Sequence, residues 1–132
     1  MRIPGGLGGL RPSLCNIPVG TWWWLRDADT RFGDRAGHPW ILHVAFNARL
    51  EFGHACPRTT LEPRDGDTFV KHGRHRAGHE ESCKIDREPA WIKPLESRQI
   101  LAEWIDNGGY SCEERDLAFL GKVELALQDA GL

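Results

Sequence analysis

The sequence predicts a mainly β domain with some α structure, a small barrel packed by a C-terminal helix. Three observations lead there. Short β-rich runs at residues 19–25 (VGTWWWL) and 39–46 (PWILHVAF) are separated by polar, glycine-containing stretches. The extended amphipathic stripe falls at the C-terminal end, after the last of the short apolar runs. The chain has 132 residues, enough to bury one modest core but not two, and it contains no internal repeat.

The domain is expected over residues 19–132, with residues 1–18 as a flexible arm rich in Gly and Pro. The alternative for the end of that arm is that Ile17, Pro18 and Val19 pack at the start of the first strand. In the run 19–25, period-two alternation places Trp23 on one face and Trp22 and Trp24 on the other. Residues 27–37 (DADTRFGDRAG) read as a polar loop, and 39–46 as a central strand. Residues 48–56 alternate Leu50, Phe52 and His54 on one side and form the second arm of a hairpin, which residues 57–60 (PRTT) close. Residues 61–83 are charged and irregular, with a turn signal at Asp65-Gly66. Strands resume around Ile85, Trp91 and Ile92, flanking a turn near Pro89. A short helical turn is expected over residues 100–104, beginning near Ser97. Leu117, Leu120, Val123 and Leu127 make the stripe of the final helix, and Ser111 with Glu114 matches a capping box at its start.

Composition narrows the function classes. With 40% hydrophobic and 27% charged residues the chain is not disordered, and 17 basic against 19 acidic side chains give a formal net charge of −2. Bulk electrostatics therefore do not favour a polyanion, and any such partner must be met by a local basic strip. No apolar run approaches the roughly 20 residues that cross a bilayer, so no membrane association is expected. The N-terminal stretch lacks a continuous apolar h-region, which argues against a signal peptide. Cys15, Cys56, Cys83 and Cys112 form no C-x-x-C pair and read as reduced thiols of a cytoplasmic protein, each a candidate buried free Cys.

Two segments carry a resemblance. The opening VGTWWWLRDAD, followed by GDRAGHPWILHVAF and then HACPRTT, resembles the first half of the MazF/PemK family of toxin endoribonucleases. That family opens with an aromatic strand, continues through a Gly-rich loop and a Gly-x-Arg-Pro run into a hydrophobic strand, and ends its next strand in a Cys-Pro-x-Thr/Ser corner. Here Cys56-Pro57-Arg58-Thr59-Thr60 stands at that corner. Cys83-Lys84-Ile85-Asp86, Trp91-Ile92 and the closing helix occupy the places of the later strands and final helix, so the likeness spans roughly residues 19–131.

The resemblance implies an SH3-like barrel with a C-terminal helix, a homodimer, and cleavage of single-stranded RNA without metal or other cofactor. It also implies neutralisation by a cognate antitoxin protein. In that chemistry the ribose 2′-OH attacks the adjacent phosphate while one group removes its proton, another protonates the leaving oxygen, and a cation stabilises the developing charge. The family places an Arg before the hydrophobic strand, and this sequence departs there with His38. Imidazole can serve as acid or base but anchors phosphate less permanently than guanidinium. Arg35 could supply the charge, Thr59 or Thr60 the corner hydroxyl, and Arg58 a second cation. The bland alternative makes His38 a loop residue at a strand entry, and Thr59 and Thr60 hydroxyls that cap backbone groups.

Residues 72–83 contain His72, His75, His79 and Cys83 in the pattern H-x2-H-x3-H-x3-C. Imidazole and thiolate are good zinc ligands, but the spacing matches no standard finger. The alternative is electrostatic: Lys71, Arg74, His75 and Arg76, with the other imidazoles, make a cationic strip for an RNA backbone. A third reading is a mobile surface loop. For the whole chain, the competing function is a non-catalytic barrel that binds a protein or nucleic acid, with or without a stabilising zinc. Trp22 and Trp24 are expected in barrel or interface packing rather than stacked on bases.

Overall fold

The computed structural model describes residues 17–47, 52–73, 89–106, 111–112 and 115–131. Within them the chain runs β1 (Trp22–Arg26), α1 (Asp27–Thr30), β2 (Gly37–Asn47), β3 (Phe52–Thr59), β4 (Val70–His72), β5 (Ala90–Ile92), a 3-10 turn (Pro94–Glu96), β6 (Arg98–Leu101), α2 (Ala102–Asp106), β7 (Ser111–Cys112) and α3 (Leu117–Asp129). The strands form an antiparallel sheet in the order β4-β5-β3-β2-β1-β7, with β6 also paired to β3. The predicted class, mainly β with a C-terminal helix, is the one observed.

β3 organises the sheet. One edge pairs with β2; the other pairs with β6 over residues 52–55 and then with β5 at Arg58 and Thr59. Sharing one strand between two partners bends the sheet towards a barrel. Pro57 falls between those pairings, where its missing N–H interrupts neither ladder, and its carbonyl accepts Lys93 N–H at 3.2 Å. The expectation that residues 57–60 close the hairpin is therefore corrected: the strand continues through Pro57 to Thr59. Register shifts between Leu42 and Asn47 bend the β2–β3 pair further. Gly53 permits this close crossing, since a Cβ there would lie 2.7 Å from Val44 O.

Alternation sorts the aromatic run as expected. Trp22 joins Ile41, Cys56 and Ile92 in a core closed by Phe119, Leu120, Val123 and Leu127 of α3. The expectation of a single core is corrected, because the sheet carries a second cluster on its other face: Trp23 packs against Leu25, Trp40, Leu42, Phe46, Ala55, Ile100, Ala102 and Ile105. The sheet is thus buried on both faces, which explains the continuous apolar character of β2. Ile17 packs on the second core and Val19 on the first, the alternative weighed for the end of the arm.

Four local expectations change. The loop after β1 begins with the single helical turn α1, ended by Arg31 in the left-handed region (φ 59°). Residues 98–101 are strand, and the helix follows at 102–106, because Arg98–Leu101 finds a free edge of β3 to pair with. Residues 70–72 pair with β5, so the histidine-rich segment starts as a strand. Ser111 lies in β7, and α3 starts at Leu117 with Asp116 in the N-cap position, so the capping-box expectation is corrected: Ser111 is not the N-cap residue, and Glu114 lies outside the described residues. In the stripe, Leu120, Val123 and Leu127 are buried while Leu117, in the first turn, is 53% exposed. The turn at Asp65-Gly66 is present, closed by Asp67 N–H to Arg64 O. Leu50, Ile85 and the arm residues 1–16 lie outside the described residues.

Candidate active site

The loop between β1 and β2 folds around one buried carboxylate. α1 turns the chain at once, with Arg31 N–H donating to Asp27 O at 2.7 Å, and Asp27 N–H closes the loop base on Ala36 O at 3.2 Å. The Asp27 side chain then points across the loop, where Oδ2 accepts Arg35 N–H at 2.9 Å and Oδ1 lies 2.6 Å from His38 Nδ1. Asp27 is 2% exposed. The edge of the Phe32 ring meets the His38 imidazole, with centroids 4.9 Å apart and planes at 84°. Beyond Phe32, the Arg98 guanidinium lies 5.8 Å from its ring centroid and donates to Thr30 O.

Strand register carries this loop into a row across the sheet. Leu25 pairs with His38, Thr59 pairs with Trp91, and Trp91 pairs with Lys71. The β2–β3 register, Trp40 with Pro57, sets His38 and Thr59 on the same face at neighbouring strand ends when continued by two residues. Thr59 Oγ1 accepts Leu61 N–H at 3.1 Å, which leaves its hydroxyl proton to donate. Lys71 and Arg35 are exposed, as is Thr60 beyond the end of β3. One end of these strands thus brings an imidazole, the nearly buried Thr59 hydroxyl and the exposed Lys71 to one face, with Arg35 in the loop before β2.

Arg58 points to the opposite face, as its place next to Thr59 in a strand requires. It is 2% exposed, with Nε donating to His72 Nδ1 at 2.8 Å and Nη2 to Gly73 O at 3.3 Å. Because Nδ1 accepts, the His72 proton sits on Nε2, which reaches Asp116 Oδ2 at 3.1 Å. That carboxylate also receives Trp22 Nε1 at 3.4 Å, and the His72 ring lies 4.9 Å from Trp22 and 4.2 Å from Phe119. This Arg–His–Asp chain ties β3 and β4 to the start of α3. It also explains why Asp116, at the N-cap position, makes no side-chain bond to the helix amides.

A separate imidazole lies at the β2 irregularity. His43 Nε2 contacts Ser97 Oγ at 2.6 Å, and burial, helped by the charge of neighbouring His54, pushes the His43 pKa down to about 4. In the unfolded chain imidazole titrates near about 6.5. Protons therefore bind the unfolded state more readily, and His43 favours folding above that value. The contribution is lost as pH falls from about 6.5 to 4, on the order of 1 kcal/mol once partial exposure is allowed for. Urea titrations at pH 7 and 4.5 should show this loss in wild type and a smaller loss in His43→Asn. Burial likewise pushes the neighbouring Cys56 thiol up to about 12, as expected for an inert reduced cysteine.

Of the residues singled out from sequence, His38, Thr59 and Lys71 share a face and Arg35 flanks them, while Arg58 and His72 belong to the other side. Both His72 ring nitrogens are engaged, which removes it as a zinc ligand in this arrangement. Arg74, His75, Arg76, His79 and Cys83 lie outside the described residues, among which no three His, Cys, Asp or Glu gather as a metal site. Asp27 and Asp116 were not singled out from sequence. Asp27 stands eleven positions before His38 and Asp116 forty-four after His72, separations at which no local periodicity signals a contact.

No protein-family model matches the chain, and comparison with curated proteins finds no significant match. Among solved structures, a chain in the crystal structure of MazE–MazF from Deinococcus radiodurans superposes with a TM-score of 0.54 at 16% identity, covering 86% of this chain and 94% of that one. The two chains share a fold. No helix among the described residues is long and apolar enough to cross a membrane.

Proposed function

We propose that the chain is a metal-independent endoribonuclease of the toxin–antitoxin type, cleaving single-stranded RNA by attack of the ribose 2′-OH. The observation that supports this reading is that His38, Thr59 and Lys71 lie on one face at one end of adjoining strands. The fold shared with a chain of a MazE–MazF complex supports it. The imidazole of His38 accepts the 2′-OH proton as the 2′-oxygen bonds to phosphorus. The P–O5′ bond breaks, and the imidazolium returns its proton to the 5′-oxygen, leaving a 2′,3′-cyclic phosphate and a 5′-hydroxyl. The Thr59 hydroxyl donates to a non-bridging oxygen, and Arg35 and Lys71 supply the positive charge that the transition state needs. Arg74, His75 and Arg76, outside the described residues, are part of the same reading as further cations for the RNA backbone, with Thr60 beside the site. Arg58 acts from behind, holding the strand that carries Thr59. A cognate antitoxin, a homodimer and a cytoplasmic location belong to the same reading.

The test is cleavage of a mixed single-stranded RNA by the purified chain in EDTA, with the product ends identified by mass spectrometry. Cyclic phosphate ends are expected, with kcat lowered on the order of 10²- to 10⁴-fold in His38→Gln. Intact RNA across pH 5–9 would show instead a barrel that binds without cutting.

A further inference from the structure

We propose that Asp27 is the positioning residue of this site: it holds the Nδ1 proton of His38 and thereby leaves Nε2 as the atom that exchanges protons with substrate. The inference rests on the reading of His38 as the acid–base group, but its structural core stands on geometry alone.

Two donors converge on Asp27. The backbone N–H of Arg35 occupies Oδ2 at 2.9 Å, and this group can only donate. His38 Nδ1 occupies Oδ1 at 2.6 Å. Both oxygens of an ionised carboxylate only accept, so the proton between Oδ1 and Nδ1 belongs to the imidazole. In the neutral ring that leaves Nε2 bare, and in the imidazolium only the Nε2 proton is free to leave. The carboxylate is withdrawn from solvent, while the imidazole side chain keeps 14% of its surface exposed. Phe32 packs edge-to-face with the ring. Gly33 completes the enclosure, since a Cβ at that position would lie 2.9 Å from Asp27 Oδ2 and 3.2 Å from His38 Cε1.

The same geometry makes Asp27→Asn diagnostic. An amide has one acceptor and one donor end. The Arg35 N–H claims the carbonyl, which turns the NH2 towards His38 Nδ1, so that nitrogen must accept and the proton moves to Nε2. The ring stays in place but is switched to the wrong tautomer for taking a proton at Nε2, a change that in serine proteases costs on the order of 10⁴ in kcat.

The experiment is long-range ¹H–¹⁵N correlation NMR on the labelled full chain, alongside RNA cleavage. The neutral ring of His38 in wild type should be protonated at Nδ1 and bare at Nε2, and Asp27→Asn should show the reverse. Cleavage by Asp27→Asn should fall on the order of 10²- to 10⁴-fold in kcat with KM little changed. A merely structural role for Asp27 would move folding without reversing the tautomer. Gly33→Ala, which presses on the pair without altering either ionisable group, should mix the tautomers and lower kcat. If Asp27→Asn does not fold, the wild-type and Gly33→Ala spectra decide the matter. Wild-type His38 protonated at Nε2, or a folded Asp27→Asn with the reversed tautomer and full kcat, overturns the inference. Should wild type leave RNA intact while showing Nδ1–H, the endonuclease reading falls and the Asp27–His38 pair stands.

Discussion

Replacing Arg58 with methionine should lower the stability of the folded chain by about 3–5 kcal/mol, the range seen when one member of a buried ionic network is removed. The guanidinium is enclosed between His72 Nδ1 and Gly73 O, and through His72 it faces the Asp116 carboxylate. Without it, Nδ1 of His72 loses its donor and the Asp116 charge loses the cation at the far end of the chain. A purely phosphate-binding arginine would behave differently, losing cleavage at unchanged stability. Urea denaturation monitored by Trp fluorescence separates the two through the midpoint at constant m. The triple variant Arg58→Met, His72→Leu, Asp116→Asn should recover much of the loss, because these neutral replacements leave no orphaned charge. A full-stability Arg58→Met would sink the account of this network.

Truncating Trp22 to alanine should be as severe, about 3–5 kcal/mol. Trp22 is fully buried in the core beneath α3, stacks with Phe119, meets the tilted His72 ring, and donates to Asp116. Against a typical total stability of about 5–15 kcal/mol, this removes a large share of what holds the fold. Trp24→Ala should cost less, since that side chain is half-buried. Trp22→Phe keeps most of the apolar volume while losing the indole N–H, and should fall between wild type and alanine. Circular dichroism melts of the three variants check the order, and a Trp24→Ala melting below Trp22→Ala would contradict it.

The fold class was legible because its signals are local. Glycine and proline mark the ends of short β-rich runs, and the stripe Leu120, Val123, Leu127 announces a helix whichever partner it packs on. Errors of position arose where tertiary pairing overrode local chemistry. Pro57 looks like a stop, yet it sits where β3 changes partners and no ladder bond is asked of it. Ser111 with Glu114 looks like a capping box, yet Ser111 pairs with Trp23 in the sheet. The segment 70–72 has no strong strand signal and becomes a strand because β5 offers an edge.

For the candidate site, the residue types were visible and their grouping was not. By itself the sequence determined that an imidazole, hydroxyls and several cations stand near strand ends, and that Trp22 and Trp24 would be spent on packing, of which Trp22 is fully buried and Trp24 half-buried. Only the tertiary structure decided which of them meet. Arg58 and Thr59 are neighbours in sequence and face opposite sides of the sheet, whereas Thr59 and Lys71 are twelve positions apart and share a row through Trp91. Asp27 meets His38 only because the β1–β2 hairpin closes over ten intervening residues. Strand alternation is a period of two and can be read along the chain. Register between strands is set by packing and by partner exchange, and no single strand encodes it.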